Sequence, residues 1–144
     1  MDLIKKNKIL EDYKINVKLK LSALWTSLIV CYIYGDFFSL FVPGAIEDMI
    51  AKVTPIGETT PTIILAFAIS MAIPAVMISL SLLLKPNINR WLNIIVGSLY
   101  TIIMALTMIN PTPWTIYYMF LGVIEIALSL LIIRYALKWP KQEA

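Results

Sequence analysis

Four long apolar stretches divide the chain, each bounded by residues that start or stop a helix. A helix crossing a bilayer needs about 20 predominantly apolar residues. The first stretch, residues 21–42 (LSALWTSLIVCYIYGDFFSLFV), holds one charge, Asp36, and stops at Pro43-Gly44. The second, residues 61–84 (PTIILAFAISMAIPAVMISLSLLL), holds none. Thr60 reads as its N-cap and Pro61 as its first helical residue, where the missing amide costs nothing. Lys85-Pro86 ends it. From Trp91 to Ile124 the sequence is again uncharged, too long for one span and broken by Asn110-Pro111-Thr112-Pro113. A third span therefore covers about residues 91–109. The remainder from Trp114 is too short to cross alone, so a fourth span must run on through Glu125 to about residue 137.

The pattern predicts an all-α fold: an integral membrane four-helix antiparallel bundle. A basic segment, residues 1–20, precedes it, and a tail, residues 138–144, follows. Residues 43–53 (PGAIEDMIAKV) place Ile46, Met49, Ile50 and Val53 on one helical face, which predicts a short amphipathic helix lying on the outer surface. Residues 2–20 mix lysines with Leu3, Ile4, Ile9, Leu10, Tyr13 and Ile15. They read either as an interfacial basic helix or as a solvated topology signal. The first span lacks a small-residue cleavage site and reads as a signal anchor.

Composition agrees with the pattern. Charged residues make up 15% of the chain, against about 25% in soluble domains, and the mean hydropathy is +0.82. Of the 12 basic residues only Lys52 lies outside the two ends and the second connection. The positive-inside rule then predicts a bacterial cytoplasmic (inner) membrane protein with both termini in the cytoplasm. Trp25, Trp91 and Trp139 are expected at the inner interface, and Trp114, Tyr117 and Tyr118 at the outer one. The sequence pI near 9.0 reports this topology. The basic segment is too short and too poor in aromatics for a nucleic-acid partner.

The residues that are missing exclude several chemistries. With no histidine and one cysteine, Cys31, the chain offers no His-ligated haem, no His or Cys zinc site, no His-based triad and no paired-thiol relay. The five glycines are scattered, so there is no phosphate-binding loop. No metal and no cofactor is expected. An enzyme is the least supported class.

What remains is polarity inside the spans, where an ionisable group is a functional hypothesis by default. Glu125 lies about ten residues, or roughly 15 Å, below the outer end of its helix. With Tyr118, Gly122 and Ser129 it forms a small and polar stripe. Asp36 lies about six residues, or 9 Å, from the outer end of the first span, sharing a face with Tyr32 and Ser39. The third span has a stripe of Asn93, Gly97, Tyr100, Met104 and Thr107. The second has Ser70, Pro74, Met77 and Ser81. Pro74 should kink its helix and free a carbonyl near Ser70. Tyr32, Tyr100 or Tyr118 could hydrogen-bond either carboxyl. The candidate site is therefore Glu125, Asp36, Tyr32, Tyr118, Tyr100, Asn93 and Ser129, and the glycine-containing faces suggest a homo-oligomer.

Several motifs carry a family resemblance. Tyr34-Gly35-Asp36, Ile73-Pro74, Asn89-Arg90-Trp91 with Asn93-Ile94, Pro113 with Tyr117-Tyr118, and Glu125-Ile126-Ala127 with Tyr135-Ala136 and Lys138-Trp139 stand in this order. Over roughly residues 18–140 the chain resembles domain of unknown function 6326, short bacterial four-span proteins. The resemblance implies a four-helix integral membrane protein and names no substrate. It also implies a glutamate before Ile73-Pro74, where this chain has Ala72, so Glu125 stands without a second membrane glutamate.

Three functions remain open. The first is a small transporter in which Glu125 exchanges a proton or binds a cation. The second is a subunit that holds a lipid, quinone or other small apolar ligand between methionine-rich walls. The third is a scaffold in which the polar stripes only join helices.

Overall fold

A computed structural model of the chain describes residues 13–54 and 57–140. Residues 2–12 of the basic segment lie outside the described residues, and residues 13–16 adopt no regular element. Four helices are long and apolar enough to cross a membrane.

Helix α1 (Val17–Ser39) starts four residues before the apolar stretch does. The reason is local: the side-chain oxygen of Asn16 accepts the Lys18 amide at 2.9 Å and caps the helix. At its other end the chain turns at Ser39–Val42 and passes through Gly44, whose φ of 88° suits glycine. The surface helix α2 (Ala45–Ile50) is shorter than its apolar pattern suggests, and none of its residues is buried. Ile46, Met49 and Ile50 point away from the protein. Val53 leaves the helix altogether. Lys52 takes a left-handed φ of 58°, and Val53 opens a two-residue hairpin, β1 (Val53–Thr54) pairing antiparallel with β2 (Gly57–Glu58). That hairpin has no alternating pattern to announce it.

Helix α3 (Pro61–Leu83) begins as read: Thr60 accepts the Ile63 amide at 3.2 Å and Pro61 is the first helical residue. Helix α4 (Pro86–Thr107) begins five residues earlier than expected. Pro86 acts as a helix opener rather than a spacer, because proline at the first position has the right φ and no amide to waste. Only Leu84 and Lys85 link α3 to α4. After a 3-10 turn at Pro113–Thr115, held by reciprocal bonds between Thr112 and Thr115, comes α5 (Ile116–Leu137).

The fold is all-α, with four apolar helices packed antiparallel. Helix α1 packs against α3 and α5, α5 packs against α4, and α3 meets α4 more sparsely. Leu21, Trp25, Leu28, Met77, Val96, Tyr100 and Ile132 form the core. Both described ends of the chain and the α3–α4 link share one end of the bundle, here the terminal end. Large apolar side chains such as Ile33, Phe67, Ile95, Ile102 and Val123 ring the outside. Lipid is the solvent such a surface requires.

Trp25 departs from the sequence reading. Instead of facing outwards in an aromatic belt it is 0% exposed, packed into the core towards the terminal end. Its indole has a buried acceptor there, which removes the need for an aqueous one.

Candidate functional site

Two groups of buried polar side chains lie along the bundle. The first is near the terminal end. Asn93 on α4 accepts the Trp25 indole N–H at 2.7 Å and the Ser81 hydroxyl at 3.4 Å, both on Oδ1. Its Nδ2 donates to the Asn89 backbone carbonyl at 2.9 Å and to Asn89 Oδ1 at 2.6 Å. Asn89 in turn donates to the Ser81 carbonyl at 2.6 Å. Lys18 Nζ donates to the carbonyls of Leu82 at 3.1 Å and Leu84 at 2.7 Å. A helix end leaves its last carbonyls without intrahelical partners. Asn89 and Lys18 together take three of those at the end of α3. This network joins α1, α3 and α4 where the chain reverses.

The second group is centred on Glu125. The residue lies twelve positions from either end of the span Pro113–Leu137, about 18 Å from each at 1.5 Å per residue. It is 4% exposed. Its Oε2 is sealed off and has no hydrogen-bond partner among the described residues. Asp36 is exposed on the last turns of α1, outside the core.

No tyrosine hydroxyl is bonded to the Glu125 carboxyl. The Tyr100 hydroxyl donates to the Ser70 carbonyl. Ser70 lies four residues before Pro74, so this is the carbonyl that the proline leaves without an amide. Tyr118 donates to Thr107 Oγ1 at 2.9 Å. Tyr32 packs its ring 6.1 Å from that of Tyr100. Ser129 is bound into the α4–α5 seam, accepting from Thr101 Oγ1 at 2.7 Å and donating to the Ile126 carbonyl at 3.0 Å. Of the seven candidates, Asn93, Tyr100, Tyr118 and Ser129 thus bond groups other than the acid. Glu125 keeps its binding capacity free.

The glycines also serve the interior of the chain. A Cβ at Gly97 would stand 3.1 Å from Ile133 Cγ1, and one at Gly122 would stand 2.5 Å from Met104 Cε. Gly35 faces Leu121. These are close approaches between helices of one molecule, so the faces read as self-association surfaces are already occupied.

Helix α3 is covered on one half only. Its buried residues are Pro74, Met77 and Ser81, all on the terminal side of the proline. Between Pro61 and Ile73 it exposes Ile64, Leu65, Phe67, Ile69, Met71 and Ile73. The bundle is closed around the asparagine network and open on the α3 flank towards its other end.

Sequence reasoning passed over Asn89, Lys18 and Thr101. The signal for Asn89 was its spacing of four from Asn93, which puts two amides on one helical face. Lys18 gave no signal, since its carbonyl partners are distant in sequence.

The model of a family of unknown function (DUF6326) matches residues 7–144, and the chain belongs to that family. No curated protein and no solved structure matches it.

Proposed function

We propose that this member of the DUF6326 family is a small proton- or cation-linked membrane transporter, with Glu125 as the group that exchanges its proton for a cationic solute. One observation carries the reading. Oε2 of Glu125 is buried at the middle of a span with no partner, while Ser81, Asn89, Asn93 and Ser129 each have one. Among the described residues Oε2 has neither a hydrogen-bond donor nor an acceptor beside it, which is costly for a buried polar atom. A cation or a donor N–H arriving from outside completes it. With Ala72 in place of a second acid, proton and cation compete for one site. Asp36, exposed on the last turns of α1, suits an entrance on the end away from the termini. The Trp25–Asn93 network closes the opposite way. The distribution of basic residues favours a bacterial cytoplasmic membrane with the terminal end inside the cell.

The test is a proteoliposome assay with internal pyranine reporting pH and ethidium and tetraphenylphosphonium as cationic probes. The expected result is probe movement driven by a proton gradient, reduced at least about tenfold in Glu125→Gln. Equal movement in wild type and Glu125→Gln overturns the proposal.

The uncovered half of α3 favours a second reading, a binding subunit for a small apolar ligand that enters from lipid beside Met104. Native mass spectrometry separates the two: a co-released small molecule supports binding, and the same spectrum reports whether the protein is a homo-oligomer.

A further inference from the structure

At the terminal end of the bundle a cleft of about 800 Å³ opens between the start of α1, the start of α4 and the end of α5. That lies within the range of roughly 300–1,000 Å³ usual for ligand sites. Lys14, Lys18 and Arg90 line it together with Asn87, Pro86 and Trp139. No acidic residue is among the described residues of its wall.

Two further observations point to an anion. Among the described residues Arg90 Nε is buried and has no hydrogen-bond partner, although the guanidinium carbon lies 5.7 Å from the Trp91 ring centroid. A guanidinium presents its donors in a fork that matches phosphate oxygens. The start of α4 is also uncapped: Lys85 makes no side-chain cap bond and Pro86 has no amide. That leaves the next amides of a 22-residue helix facing the cleft with the positive end of the helix dipole.

We infer that this cleft binds a phosphate group, held by Arg90, Lys14 and the amide end of α4, with Lys18 contributing charge while it caps α3. The inference does not depend on Glu125 or on transport. A phospholipid headgroup and a free phosphate compound share this chemistry. The position at the end of the apolar belt, beside Trp139, favours the headgroup of an anionic lipid.

The experiment uses the full chain in mild detergent and native mass spectrometry with phosphatidylglycerol and phosphatidylcholine of the same acyl chains. Inorganic phosphate is the soluble competitor. Preferential retention of phosphatidylglycerol is expected, reduced about fivefold by Arg90→Gln and similarly by Lys14→Gln. Lys14 is exposed and makes no contact the fold needs, so its variant stays informative if Arg90→Gln folds poorly. Lipid retained against inorganic phosphate identifies a headgroup site. Displacement by phosphate, with binding of phosphate itself, identifies a free phosphate compound at the same residues. Equal retention of both lipids that neither variant lowers, without phosphate binding, overturns the inference, as does unchanged phosphatidylglycerol retention in both variants.

Discussion

Asn93 and Glu125 are buried in the same bundle, on helices that pack against each other, and are treated in opposite ways. The asparagine accepts two hydrogen bonds and donates two. The glutamate oxygen receives none. Around Asn93 three helices are drawn together and Trp25 is sealed in. Glu125 sits on α5 between α4 and α1, away from α3, whose half before Pro74 is left bare. A buried polar group with full partners specifies a structure; one without them is a cost that a fold retains only for another reason. The comparison assigns stability to the terminal half and leaves the middle for the proposed chemistry, and substitutions can separate the two.

The largest effect is expected at Trp25. Trp25→Ala removes a fully enclosed side chain and the Asn93 bond, and should cost about 3–5 kcal/mol, read as a loss of thermal stability in detergent by fluorescence-detected size exclusion. Asn93→Leu keeps the branching of the side chain but strands the Trp25 indole N–H, the Ser81 hydroxyl and Asn89 Oδ1. Hydrogen bonds in membranes are worth about 0.6 kcal/mol on average and up to about 1.7, so about 2 kcal/mol should be lost in the same assay. Tyr100→Phe comes next, at about 1 kcal/mol. Its cost should vanish in the background of Pro74→Ala, because an alanine amide can claim the Ser70 carbonyl; a double-mutant cycle without coupling would break the link between the two residues. Glu125→Gln should be the mildest, at about 0.5 kcal/mol or less, since no hydrogen bond is lost. A large destabilisation there would move Glu125 into the same class as Asn93 and erase the contrast.

Much of this was legible in the order of residues. The four helices follow from apolar length, and Thr60-Pro61 marks the start of α3 because capping is local chemistry. The burial of Glu125 follows from counting residues across a bilayer. The carbonyl freed by Pro74 was also readable, though not that Tyr100 would be its donor. Tertiary pairing is what the chain does not announce. Trp25 has the composition of an interfacial anchor until Asn93, 68 residues away, supplies a buried acceptor. Lys18 looks like one more topology charge until the end of α3 arrives beside it. Gly97 and Gly122 signal close packing, but not whether the partner is the same molecule or another.

The short link between α3 and α4 bears on how the protein is made. Helix α3 is uncharged and enters a bilayer readily, whereas α4 opens with Asn89, Arg90 and Asn93, residues that resist insertion. With only Leu84 and Lys85 between them, the two cannot leave the translocon independently. So short a link favours their entry as a hairpin, in which the Asn89 bond to the Ser81 carbonyl can form while the apolar helix carries the polar one into lipid. The α3–α4 link thus couples the entry of the polar helix to that of the apolar one before it, and sets Ser81, Asn89 and Asn93 close enough to pair early.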